Sequence, residues 1–146
     1  EGTLCSDCRP LHELAAAALN AGGVRLLRDP TRGGVATTLN EFVEGTSLGI
    51  ELAEDAIPVD ESVAAACDLL GLDTLYSACE GRMLAVCAPE RADVVLAALR
   101  AVPGGEGAAC IGRVTAARPS QVVLCNTFGG SRLLGKLTGA QLPRIC

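Results

Sequence analysis

Apolar residues recur at three- and four-residue intervals along several stretches of this chain, and short apolar runs separate them. The first such stretch, Leu-His-Glu-Leu-Ala-Ala-Ala-Ala-Leu-Asn, predicts a helix over about Pro10–Asn20, with Ser6 or Asp7 as its cap and Gly22-Gly23 as its end. A short strand is expected at Val24–Leu27, followed by the polar turn Arg28 to Gly34. A second helix starts near Val35, with Leu39, Phe42 and Val43 on one side, and Ser47–Leu52 alternates like a strand. Asp60 caps a third helix, Glu61 to Leu70, which Gly71 stops. Tyr76–Cys79 and Arg82–Cys87 read as two strand segments broken at Glu80-Gly81. Pro89 opens a fourth helix that Pro103-Gly104-Gly105 closes, and strands are expected at about Ala109–Val114 and Gln121–Cys125.

From Thr127 the regular pattern fades: Gly129, Gly130, Gly135 and Gly139 loosen the chain, and Pro143 forbids a closing helix. The expectation is one α+β domain over residues 1–136, a mixed sheet covered by helices, and a mobile tail over 137–146.

Composition narrows the possibilities. At 146 residues the chain suits one core, and with aromatics at only 2% that core must be aliphatic. Mean hydropathy is +0.36, yet no apolar run approaches the roughly 20 residues of a membrane helix. A net charge of −5 without basic runs or aromatic platforms argues against nucleic acid. No secretory signal opens the sequence, and a start at Glu1 suggests that an N-terminal domain precedes it. Cys67, Cys87 and Cys125, among eight cysteines, sit in apolar runs, where the residue acts as a small hydrophobe. A reducing compartment, the cytoplasm, with free thiols is the expectation.

Four places offer chemistry. In Asp29-Pro30-Thr31-Arg32-Gly33-Gly34, a helix N-terminus could meet an anion, the glycines allowing close approach and Arg32, Thr31 and Asp29 adding polar contacts. The same pattern also serves as an ordinary capped turn. Glu80 stands at a break between apolar segments, where a carboxylate can act as general base or acid or remain a solvated turn residue. Cys146 closes the sequence in Leu142-Pro143-Arg144-Ile145-Cys146, in which Arg144 favours the thiolate; twenty extended residues reach at most roughly 65 Å. Cys5 and Cys8 form a lone C-x-x-C with His12 four residues on, too little for a zinc or redox motif, and no metal site is expected.

These motifs carry a resemblance. Cys5–Leu11, Arg28–Gly34, Leu39-Asn40-Glu41, Ile57-Pro58-Val59, Leu70–Asp73, Ala78–Arg82 and the closing Pro-Arg-Ile-Cys resemble the hydrogenase maturation proteins HypE, of the AIR synthetase-related superfamily, over about Leu4 to Cys146. The resemblance implies the C-terminal domain of an ATP-dependent carbamoyl dehydratase, with ATP and Mg2+ bound mainly by an N-terminal domain that also makes a homodimer. It implies that the carbamoyltransferase HypF loads Cys146, that the group is dehydrated to thiocyanate, and that cyanide passes to iron on HypC–HypD for the NiFe centre. Glu80 matches the acidic residue of an Ala-Asn-Glu-Gly-Lys-like motif and would serve as base, while the Asp29–Gly34 loop would hold phosphate or the carbamoyl end. Cys79 and Arg82 stand where the family usually has Asn and Lys. Two other readings stay open: another AIR synthetase-like activity, which gives no reason for the Pro-Arg-Ile-Cys ending, and a non-catalytic carrier whose thiol is modified by partners.

Overall fold

The structure is a computed structural model, and it describes residues 6–139. Ten regular elements follow one another: α1 (His12–Ala21), β1 (Val24–Arg28), α2 (Gly34–Val43), β2 (Gly49–Ala53), α3 (Glu61–Leu70), β3 (Leu84–Cys87), α4 (Ala92–Arg100), β4 (Gly112–Thr115), β5 (Val122–Cys125) and β6 (Ser131–Leu134). Four strands form a mixed sheet in the order β4-β2-β5-β6, and β1 and β3 form a separate antiparallel pair. β2 and β5 run parallel, while β4 and β6 flank them antiparallel. The α+β class is as expected, but the strands divide between two sheets.

A strand covered on both faces reads as a continuous apolar run, and β5 does so, whereas β2 keeps Glu51 on its second face. Val122, Val123 and Leu124 of β5 are all buried. On one face of the sheet α2 lays Ala36, Leu39 and Val43 against Ile50, Leu52, Val122, Leu124 and Leu134, with Leu75 completing the cluster. This is the aliphatic core that the composition demanded, and it places α2 against the middle of the sheet.

Three local expectations are corrected. Tyr76–Cys79 is not a strand: Thr74–Tyr76 forms a 3-10 turn, because the Asp73 carboxylate accepts the Leu75 N–H (2.9 Å) and so curls the chain. The fading pattern after Thr127 conceals β6, an edge strand with only Leu134 buried. Neither Ser6 nor Asp7 caps α1: its N-cap is Leu11, without a side-chain bond, and Ser6 Oγ instead accepts the Cys8 N–H (3.2 Å). Of the expected tail, residues 137–139 carry no regular structure, and 140–146 lie outside the described residues.

Candidate functional site

The Arg28–Gly34 turn leaves β1 and enters α2, so its position follows from the two elements beside it. Pro30 is fully buried and wedges the turn into the fold, while Asp29 and Arg32 remain exposed and Thr31 is half-buried. The Gly34 N–H donates to the Thr31 carbonyl (2.9 Å), closing the turn. Arg28 pairs with Glu41 of α2 (2.9 Å), which fixes strand to helix across the turn. Neither Asp29 nor Arg32 takes part in an ion pair among the described residues.

Both glycines of the turn have packing reasons to be glycine. Gly33 is the N-cap of α2 with φ +81°, and a Cβ there would collide with the Thr37 side chain. Gly34 has φ +63°, and its Cβ would lie 2.5 Å from the Leu75 carbonyl oxygen and 2.6 Å from that of Ser77. Both are buried. The absence of side chains brings the first turn of α2 against the backbone of residues 75–77, a role distinct from the approach of an anion expected from the sequence.

That contact delivers the second candidate motif. The chain runs from Ser77 to a turn at Glu80-Gly81, and the Cys79 N–H donates to the Pro30 carbonyl (3.0 Å). A backbone hydrogen bond therefore joins the Asp29–Gly34 loop to the residue preceding Glu80. Gly81 is held from the other side. A Cβ on it would run into the Asp7 backbone, and Arg9 Nε donates to its carbonyl (3.1 Å) while Arg9 Nη2 reaches the Gly104 carbonyl (2.6 Å). The Glu80 side chain is exposed at this pinned turn.

Cys79 is half-buried beside it. Burial, reinforced by the negative charges of Asp7 and Glu80 and opposed by Arg82, pushes its thiol above the usual cysteine range. It therefore stays a neutral thiol at neutral pH, with Sγ placed to donate to the Ser77 carbonyl (3.4 Å). Arg82 is exposed, and its Nη1 lies 3.4 Å from the Gly81 carbonyl.

The tertiary fold thus brings the Asp29–Gly34 loop, with Gly33 and Gly34 buried and Asp29 and Arg32 exposed, next to the turn that carries Glu80. Cys146 and Cys5 lie outside the described residues. Cys8 and His12 are exposed, and the described residues contain no group of three or more His, Cys, Asp or Glu able to hold a metal ion. Two grooves, of about 130 and 260 Å³, are lined by other residues. No helix among the described residues is long and apolar enough to cross a membrane.

Residues 8–125 match the model of the AIR synthase related protein, C-terminal domain. The chain belongs to this family. Among relatives, the carbamoyl dehydratase HypE of Bradyrhizobium diazoefficiens is 52% identical over 148 residues, covering 100% of this chain and 43% of that protein. A crystal structure of the hydrogenase maturation protein HypE in complex with ATP superimposes with a TM-score of 0.90 at 45% identity, covering 100% of this chain and 45% of that one. A chain in the crystal structure of a HypE–HypF complex gives a TM-score of 0.88 at 33% identity over 94% of this chain and 45% of that one. The chain therefore spans less than half the length of these proteins. Within the AIR synthase-related C-terminal fold, the two motifs lie side by side, joined by the Cys79–Pro30 backbone bond.

Sequence reasoning assigns Thr37, Asn40 and Tyr76 no part in the site, yet they join its neighbouring elements to the end of β6 and the residues that follow. A polar Asn inside an otherwise apolar helical face was the available signal, since such a side chain needs a partner.

Proposed function

We propose that this chain is the C-terminal part of an ATP-dependent carbamoyl dehydratase of hydrogenase maturation, acting in the cytoplasm. The observation that carries the reading is the Cys79–Pro30 backbone bond, which sets the Glu80 turn beside the Asp29–Gly34 loop. The high identity to the Bradyrhizobium carbamoyl dehydratase HypE across the whole chain supports it.

In this reading Cys146 carries the carbamoyl group as a thiocarbamate, loaded by HypF. Sulfur suits both halves of the chemistry, since its thiolate accepts the carbamoyl group and is later the leaving group when an electron-rich iron centre attacks the thiocyanate carbon and supplies the two electrons. Bound ATP supplies a phosphoryl group that turns the carbamoyl oxygen into a leaving group. The chain's own residues fit the anionic end: exposed Arg32 and the Thr31 hydroxyl offer donors. Gly33 and Gly34 fix the backbone of that loop. Asp29 is a single carboxylate, so Mg2+ would be held mainly by the N-terminal part of the longer protein.

Glu80 takes protons from the carbamoyl nitrogen. Loss of both N–H protons, and of the oxygen as inorganic phosphate, leaves a thiocyanate on Cys146; the iron centre held by HypC–HypD would supply two electrons, take the nitrile as cyanide and release the Cys146 thiolate. The open face of the site is where the N-terminal part would close over it, and that part would also form the homodimer. Residues 1–136 would be the domain and 137–146 the arm that carries the substrate.

The test combines this chain with its N-terminal part, ATP and carbamoylated Cys146, and follows the mass of the C-terminal peptide. Loss of one water is expected, together with its abolition in Glu80→Gln. Intact partner binding without that loss would favour the carrier reading.

A further inference from the structure

The end of β6 and the segment after it are tied residue by residue to α2 and to the 3-10 turn Thr74–Tyr76, both adjacent to the candidate site. Asn40 Nδ2, on α2, donates to the Leu134 carbonyl (2.9 Å) and to the Ala36 carbonyl of its own helix (2.8 Å). Tyr76 Oη, in the 3-10 turn, donates to the Gly135 carbonyl (3.1 Å). Lys136 Nζ pairs with Glu44 (2.6 Å), and the Leu137 N–H donates to Thr37 Oγ1 (3.1 Å). Residues 135–137 belong to no strand, so side chains of α2 and of the turn take the place of a ladder.

Thr37 joins the two regions. Its side chain fills the space that a Cβ on Gly33 would need, and its oxygen holds Leu137. One side chain therefore separates the phosphate-facing loop from the root of the C-terminal segment.

We propose that Thr37, Asn40 and Tyr76 are positioning residues that clamp Leu134–Leu137 and so set the pivot from which Cys146 is delivered to the Asp29–Gly34 loop and Glu80. This rests on the reading that Cys146 carries the carbamoyl group. Nine residues, Thr138 to Cys146, follow the pivot. Fully extended they reach at most about 30 Å. Opening the clamp adds three residues, about 10 Å of slack, and frees the direction in which the arm leaves α2. For a tethered substrate, the length and rooting of the tether set its effective concentration, and orientation sets the fraction of productive encounters.

The test uses the full-length protein, with the N-terminal part present, and measures single-turnover water loss from carbamoylated Cys146. Thr37→Val removes the acceptor and is expected to slow this reaction about threefold, the scale of one lost hydrogen bond. Thr37→Ser should retain the wild-type rate, and Thr37→Val combined with Tyr76→Phe should be slower still. A carbamoylated peptide of residues 139–146, supplied in trans to a Cys146→Ala background, should react equally fast with and without Thr37→Val. An unchanged tethered rate overturns the proposal, as does equal slowing of the tethered and free substrates. Absence of water loss in the wild type speaks against the dehydratase reading instead. The clamp is then judged by hydrogen exchange at the Leu137 amide, which must be faster in Thr37→Val than in Thr37→Ser for it to stand.

Discussion

Helices α2 and α3 are each ten residues long and differ in almost everything else. α3 is specified by its own sequence. The Asp60 carboxylate accepts the Ser62 N–H (2.9 Å), Gly71 ends the helix at φ +67°, and the Leu72 N–H closes back on the Cys67 carbonyl (2.9 Å). Yet of its side chains only Cys67 is buried, and Leu69 is 86% exposed. α2 has no side-chain cap at either end, but it buries five residues against the sheet and the 3-10 turn. The candidate site and the root of the C-terminal segment both grow from α2. A helix held by tertiary contacts can place groups distant in sequence; one held by its own caps places only itself.

The same substitution at two glycines separates these regimes most sharply. Gly34→Ala must strain φ and also push a methyl group into the Leu75–Ser77 backbone, and a loss of roughly 3 kcal/mol is expected, together with the loss of the Cys79–Pro30 contact. Gly71→Ala meets nothing within 4 Å and strains φ alone, at about 1 kcal/mol. Urea denaturation of both variants measures the difference, and equal losses would remove the distinction between the helices. Leu134→Ala extends the comparison to the sheet beneath α2, with an expected cost of about 3 kcal/mol by the same measurement, because its side chain is 1% exposed there.

Smaller effects belong to α3. Hydrogen bonds from the Ser62 hydroxyl and N–H hold the Asp60 carboxyl below its ordinary value of 3.8. A depressed carboxylate pKa stabilises the fold above the unfolded value, and that contribution fades as pH falls through the lowered folded value. Thermal melts of wild type and Asp60→Ala should therefore differ near neutrality and converge in acid. Least of all, Leu69→Ser should leave stability within about 0.5 kcal/mol, as expected for a side chain left in water.

Much of the fold was legible where local signals suffice. All four helices were expected within a few residues of where they lie, since apolar spacing, Asp60, Gly71, Pro89 and the Pro103–Gly105 stop act over one turn. β6 was missed because Leu133 is 62% exposed and glycines flank the strand, so that its pairing with β5 is what makes it a strand. Tyr76–Cys79 misled because an aromatic beside small residues suits a strand, while the Asp73 cap acts on the backbone before that preference can matter. The burial of Gly33 and Gly34 against Thr37 and residues 75–77 could not be read from a turn pattern that anion loops and packing contacts share.

The sequence by itself determined the helices, the apolar inner strands, the aliphatic core and the residue types able to handle an anion or a proton. Those properties depend on neighbours three or four positions away, or on composition. Only the tertiary structure decided that the Pro30 carbonyl meets the Cys79 N–H, that Gly34 seats α2 on the 3-10 turn and that Thr37 holds Leu137. These contacts join segments far apart in the chain, and each exists because burial of the sheet's face under α2 brings them within hydrogen-bond distance.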